Sequence, residues 1–392
     1  MCLTPKDDDL NENKLSVPLS LYIHIPWCLK KCPYCDFNSH RMQEGVREER
    51  YVDALVRDFE SQLSAIQNRS IGTIFFGGGT PSLFSADAIA TILAAIRAKV
   101  QLDADVEITL EANPGASESS SFRGYREAGV NRLSIGVQSF DNAMLSTLGR
   151  VHGREEAFQS IEKARKAGFE NVNLDLMFGL PNQTMASALA DVTSAIDLAP
   201  THISYYQFTI EPNTFFQKYP PRLPHEEAIW AIQRESQALL SKNGFVQYEV
   251  SAYARGQAMC RHNLNYWEFG DYMGIGAGSH GKLTEHATGI ITRTSRIKHP
   301  EHYQDTVFTQ EQGRIEVANS DLGFEFMMNA LRLIEGFDVR LFKARTGLPI
   351  SSVEPEIKRC IAEGMLEKDG HMIRCSAQGM NFLDNILQRF LG

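Results

Sequence analysis

No stretch of about eighteen consecutive apolar residues occurs in the 392-residue chain, so the sequence offers no membrane-spanning helix. Positive charge is not in excess either. With 39 Lys and Arg against 48 Asp and Glu the formal net charge is −9, which argues against a general nucleic-acid binder. Cysteine is sparse and mostly scattered: Cys2, Cys260, Cys360 and Cys375 stand alone. Seven cysteines make a poor disulfide framework for a chain this long, and a reducing cytoplasm is the natural setting. The first 18 residues hold Asp7, Asp8 and Asp9 but no apolar core, so they form no secretory signal and read as a flexible, solvated tail.

What is present begins with a rhythm. Six apolar, β-branched runs recur at 19–26, 73–79, 106–114, 132–140, 171–181 and 202–210. Between them, helical periodicity marks 47–66, 85–99, 118–129, 155–168 and 185–198, two of these closing on Gly129 and Gly168. Alternation of this kind means parallel βα units. Six units fall short of a closed eight-fold barrel, so the expected fold is α/β, a partial (β/α)6 TIM-like barrel over 19–215. A flat, doubly wound sheet remains the alternative. Residues 216–315 break the rhythm and read as an extension of the barrel. Residues 316–392 read as a mostly helical, winged-helix-like module. From Asp321 onward nine Lys and Arg face ten Asp and Glu, so that module lacks a basic footprint for DNA.

Three cysteines remain: Cys28, Cys32 and Cys35, spaced C-x3-C-x2-C directly after the first expected strand. Three thiolates in one short loop can hold three corners of a four-iron cubane and leave one iron open to a ligand. The competing reading is structural zinc, with His24 or His40 as fourth ligand.

The triplet, together with Gly77-Gly78-Gly79-Thr80-Pro81 after the second strand, resembles the radical-SAM superfamily. That resemblance implies a [4Fe-4S] cluster and S-adenosylmethionine. It also implies a role for four polar residues near successive strand ends: Glu111 for the ammonium, Arg150 for the carboxylate, Gln138 and Asp175 for the ribose hydroxyls. Tyr22, Tyr34, Gly78, Gly79 and Thr80 match family positions beside the cosubstrate. The chemistry implied is one-electron cleavage of the sulfonium, with the protein positioning the partners and excluding water.

The resemblance spans nearly the whole chain and is strongest to the group that holds oxygen-independent coproporphyrinogen III oxidases and the HemW haem chaperones. The oxidases carry a further cysteine where this chain has Phe37, and they have a longer N-terminal extension. Both departures speak against oxidase activity. The segment His262-Asn263-Leu264-Asn265-Tyr266-Trp267 matches the H-N-x-x-Y-W motif of the chaperone branch, which implies that His262, Asn263, Tyr266 and Trp267 bind haem. Partners implied are haem, haem-accepting respiratory enzymes met transiently, an electron donor for the cluster and no nucleic acid. A homodimer and a peripheral position at the inner face of the membrane stay open, as do two other functions: the oxidase and a zinc-stapled, non-enzymatic scaffold.

Overall fold

The computed structural model describes residues 17–43, 46–115, 121–309 and 312–391. Strands β1 (Leu19–Ile25), β2 (Ile71–Gly78), β3 (Leu102–Ala112), β4 (Arg132–Gln138), β5 (Asn171–Phe178) and β6 (His202–Gln207) form its centre. They lie side by side in chain order, each neighbouring pair parallel. A doubly wound sheet reverses its order at a switch point. This one does not, and the expected barrel-type winding is the fold.

Helices α1 (Glu48–Ser61), α2 (Ala86–Arg97), α3 (Phe122–Ala128), α4 (Arg154–Lys166) and α5 (Met185–Asp197) fill the crossovers. Helix α2 illustrates why they form. Ser85 caps it by accepting from Ala88 N, and Ile89, Ile92, Leu93 and Ile96 are buried along one face. Each of those side chains contributes about 1.5–3 kcal/mol of burial. Helices α3 and α4 run out at Gly129 and Gly168, both left-handed as a helix end of this kind requires. The expected start of α3, at 118–120, lies outside the described residues.

Because side chains alternate along a strand, each strand has two characters. Leu21, Ile74, Phe76, Ile108, Leu110, Leu133, Ile135, Leu174 and Leu176 are buried in the large apolar cluster that also takes in the helices. The intervening residues are polar: Glu107, Thr109 and Glu111 on β3, Arg132 and Ser134 on β4, Asn173 and Asp175 on β5. The inside of the barrel is therefore a hydrogen-bonding surface rather than an oily core.

The sheet continues beyond the six. Strands β7 (Val246–Glu249) and β8 (Ala252–Ala254) add to the β6 edge, preceded by helix α6 (Glu226–Lys242). On the other edge β9 (Asp271–Ile275) pairs with β1 in parallel, followed by antiparallel β10 (His280–Thr284), β11 (Ile291–Ser295) and β12 (Arg314–Glu316). Helix α7 (Arg261–Trp267) crosses between these two sets.

The C-terminal part has its own apolar cluster, in which Phe326 packs edge-on against Phe337 and Phe342. It comprises α8 (Asn319–Ala330), α9 (Val339–Thr346) and α10 (Glu354–Ala362) with a small sheet of β13 (Phe337–Asp338), β14 (Leu366–Asp369) and β15 (Met372–Cys375). The turn at Gly370, with positive φ, joins β14 and β15 as a hairpin. At the other terminus the expected tail over 1–18 falls outside the described residues as far as 16. Val17 is buried and its carbonyl accepts from Arg69 (3.1 Å), while the Pro18 carbonyl accepts from Asp271 N (2.9 Å). These two residues belong to the folded body.

Candidate functional site

Strand β1 delivers the cysteine loop to the barrel mouth. Trp27–Cys28 pairs with His40–Arg41, which closes the loop at its base, and Cys35 N donates to Cys32 O (3.2 Å) within it. All three thiols are half-buried and free of disulfides. Each has a polar neighbour. Thr80 Oγ1 lies 3.6 Å from Cys28 Sγ, Arg150 Nη1 3.7 Å from Cys32 Sγ, and Ser39 Oγ 3.8 Å from Cys35 Sγ. Burial raises the Cys28 and Cys35 thiol pKa values.

The ends of β2 to β5 supply the rest. Gly78 has φ +120°, and a Cβ there would stand 2.7 Å from the His24 ring. Its amide donates to Glu111 Oε2 (3.1 Å). Asp175 accepts from Ser134 Oγ (3.1 Å) and Asn173 Nδ2 (2.8 Å). Burial first, and then the nearby Asp175 charge, push the Glu111 pKa up to about 8. Gln138 sits at positive φ where β4 bulges against β5, and its Oε1 accepts from Tyr206 OH (2.7 Å). Arg150 donates to Gly136 O (2.8 Å) and to Asn113 Oδ1, and its Nε has no acceptor among the described residues. Tyr34 packs edge-on to Phe208 beside Arg150 and Cys32, and burial raises its pKa. Tyr22 OH meets His24 Nδ1 (3.1 Å), and the Tyr22 ring borders Glu111.

The residues expected to hold S-adenosylmethionine are thus gathered at one end of the barrel. Asp175 is the exception to the strand-end rule, since it lies three residues inside β5. Asn113 went unnoticed in the sequence, yet it joins Thr80 (Nδ2 to Oγ1, 2.9 Å) to Arg150 and borders a small cleft with Cys32. Tyr206, Ser134 and Asn173 were missed too. Their signal was the polar residue at every second position of an apolar run.

The donor set fits the implied groups. A carboxyl whose ordinary pKa is lifted to about 8 is one whose cationic partner would return it to its charged form. An Arg beside a sulfur donor complements an anionic cluster. Zinc fits less well. His24 Nε2 donates to Asn38 O (2.9 Å) and its Nδ1 accepts from Tyr22 OH, and among the described residues no three His, Cys, Asp or Glu side chains converge on a single-ion position.

The H-N-x-x-Y-W segment lies elsewhere. It forms α7, whose first amides, Arg261 N and His262 N, donate to the Glu107 carboxylate (3.2 and 3.1 Å). His262 is 1% exposed. Its Nδ1 meets Thr73 Oγ1 (2.7 Å) and its Nε2 meets Tyr266 OH (2.9 Å), with Phe75 and Tyr22 packed beside the ring. Thr73 lies five positions before Gly78 on β2, roughly 16 Å along a strand. Helix α7 therefore floors the barrel at the end opposite the cysteines. Asn263, Tyr266 and Trp267 are half-buried, the last two lining an outer cleft.

Comparison with known proteins shows the family. A family model described as the radical SAM superfamily matches residues 22–193, and one described as the HemN C-terminal domain matches 317–382. The chain is 47% identical to "Heme chaperone HemW" of Haemophilus influenzae, over 95% of this chain and 98% of that protein. The chain belongs to the HemW family of radical-SAM proteins. "Heme chaperone HemW" of Escherichia coli is also 47% identical over the same shares. The mouse "Radical S-adenosyl methionine domain-containing protein 1, mitochondrial" is 35% identical over 99% of this chain and 91% of that protein. Among solved structures, coproporphyrinogen III oxidase (HemN) from Escherichia coli superposes with a TM-score of 0.79 at 24% identity, covering 97% of this chain and 91% of that one. At that identity the match speaks for the HemW fold alone. Among the described residues no helix is long and apolar enough to cross a membrane.

Proposed function

We propose that this chain is a haem chaperone of the radical-SAM class: it carries haem as cargo and delivers it to respiratory haem enzymes, drawing on an electron donor for its cluster. The observation that carries the reading is the placement of two sets of residues towards opposite ends of the barrel, with the Tyr22 ring between them. The cysteine loop and the Glu111–Arg150 constellation stand at the barrel mouth, while the H-N-x-x-Y-W segment forms the floor. An oxidase must bring a porphyrin propionate up to the reacting cosubstrate. A carrier need not.

In this reading Cys28, Cys32 and Cys35 hold the [4Fe-4S] cluster, which supplies one-electron reduction when bound. Gly78, Gly79 and Thr80 bring backbone close to S-adenosylmethionine. Glu111 takes the ammonium, Arg150 the carboxylate, and Gln138 and Asp175 the hydroxyls, with Tyr22 and Tyr34 closing the sides against water. Phe37, 62% exposed, offers no thiol where an oxidase has one. Supplying coproporphyrinogen anaerobically with reductant and S-adenosylmethionine should yield no protoporphyrinogen above background. Product over many turnovers would mean an oxidase.

His262 is the proposed haem ligand of the segment, with Asn263, Tyr266 and Trp267 around it. Burial, and then the Arg132 charge, bring the His262 pKa down to about 3, so the imidazole is neutral, as a ligand must be. Its Nε2 is held by Tyr266 OH, and iron ligation requires that bond to open. Tyr266→Phe is therefore expected to tighten ferric haem binding about fivefold, the worth of one net hydrogen bond of about 1 kcal/mol, and to strengthen the low-spin spectrum. His262→Ala should abolish that spectrum. Unchanged affinity and spectrum in His262→Ala would remove His262 from the site.

A further inference from the structure

Apolar and aromatic side chains stand in solvent around the barrel mouth. Leu29, Val151, Phe215 and Tyr219 are between 49% and 62% exposed. They come from three separate segments, and Pro33 ties these together. A Cβ on Gly149 would meet Pro33 Cδ at 2.8 Å, and Phe216 N donates to Pro33 O (3.0 Å). Leu29 and Val151 border the same small cleft as Cys32. The Phe215 and Tyr219 rings lie 4.9 Å apart. The short helix Phe215–Lys218 turns Phe216 inward against Phe208 and leaves Phe215 in water. A lone exposed hydrophobe needs no explanation, but a connected group edged by charge marks an interaction surface.

The charge at this edge has one sign. Residues 29–35 and 215–222 carry Lys30, Lys31, Lys218 and Arg222 and no carboxylate, in a chain whose net charge is −9. Asp36 lies just past the first segment. All four cations are exposed, and among the described residues none of them forms an ion pair. Lys31 donates to two carbonyls, Phe37 O and Ser39 O (3.3 Å each), and Lys218 rests 5.4 Å from the centre of the Tyr219 ring. Neither contact cancels a charge.

We propose that this rim docks a small acidic electron-carrier protein that reduces the cluster. The proposal rests on the reading that Cys28, Cys32 and Cys35 hold a one-electron cluster, and it adds the chemistry of the donor and the place where it lands. Lys30 and Lys31 lie between Cys28 and Cys32, so a partner drawn to them stands beside the half-buried thiols. One electron passes: the carrier is oxidised by one, the cluster is reduced by one, and no bond forms or breaks. Local positive charge steers an acidic carrier to a chain that repels it elsewhere. The apolar side chains then give a small contact, of the kind that brief redox encounters use. A second copy of this chain fits less well, because a two-fold contact through the rim would set these cations against themselves.

The full chain with its cluster reconstituted anaerobically tests this, with a plant-type [2Fe-2S] ferredoxin, small and acidic, as the probe. Calorimetry reads binding and electron paramagnetic resonance reads cluster reduction. The ferredoxin is expected to bind, and more weakly as salt is added. Phe215→Ser and Lys218→Glu should each weaken binding and slow ferredoxin-driven reduction about fivefold, the worth of one moderate interface contact. Reduced methyl viologen, a small cation that needs no docking surface, should reduce both variants at least as fast as the unaltered chain, which also shows that they fold and hold the cluster. Unchanged ferredoxin affinity and rate in both variants would overturn the rim, even if Phe215→Ser abolished self-association or binding to phosphatidylglycerol vesicles. So would an unaltered chain that methyl viologen reduces and ferredoxin neither binds nor reduces. A chain that takes up no cluster would overturn the radical-SAM reading itself, whatever the rim binds.

Discussion

Glu111→Gln is expected to weaken S-adenosylmethionine binding roughly fiftyfold and, in the ligand-free chain, to raise stability at pH 8. Both effects come from one buried carboxyl. Among the described residues it accepts one backbone bond, from Gly78 N, and no cation there offsets the loss of water. Its pKa accordingly rises from 4.5 to about 8. Between those values the folded chain keeps a proton that the unfolded chain has released, so stability falls as pH climbs through the window. The ceiling on that loss is roughly 5 kcal/mol, and glutamine, which cannot ionise, removes it. An ammonium group supplies the missing cation. Its arrival drives the proton off Glu111, so binding at pH 7 releases close to one proton. The bond that forms is charge-assisted and worth about 2–3 kcal/mol, hence the affinity loss in glutamine. Calorimetry in two buffers of different ionisation enthalpy reads the proton directly. Binding without proton release, together with unaltered affinity in Glu111→Gln, would take Glu111 out of the site.

How much of this was visible in the residues depended on how local the cause was. The six strands announced themselves because a strand buried on its helix-facing side repeats apolar residues at every second position, as Leu21, Ile23 and Ile25 do. Helix ends at Gly129 and Gly168 were equally local, since only a residue tolerant of positive φ stops a helix that way. The cysteine loop and its glycines were legible for the same reason: their spacing is their function. Strand β9 was not. It pairs with β1 across some 250 residues of chain, and nothing within Asp271–Ile275 states which strand it will join. The burial of His262 was hidden too, because it arises from Thr73, Phe75 and Glu107, which approach only once the barrel has curled. Asn113 belongs to a middle class. It directly follows the β3 run that carries Glu111, and a polar residue just past a barrel strand is a reasonable suspect, but no motif singled it out.

The same dependence on distant partners makes Asp271→Asn the most damaging single change away from the mouth. Asp271 begins β9 with no side-chain exposure, yet its carboxylate receives Arg69, Lys282, Thr284 Oγ1 and Thr284 N, each at 2.7 or 2.8 Å. Burial works to raise its pKa, and Lys282 and Arg69 more than reverse that, so it lies below 3.8. Lys282 does less well. It shares its one carboxylate with Arg69, and burial leaves its pKa below the ordinary 10.5. Asparagine would leave that ammonium, 1% exposed, without its carboxylate partner. Removing one partner of a buried ion pair typically destabilises by 3–5 kcal/mol, a large part of the roughly 5–15 kcal/mol that holds a domain together. The unaltered chain should draw this stabilisation at any pH well above 3.8 and lose it as acid protonates Asp271 below that value. The variant should show a lower melting temperature at pH 7 and a flatter acid limb. A denaturant midpoint within about 1 kcal/mol of the unaltered chain would mean that the charge network follows the fold of β9 and β10 and does not hold it.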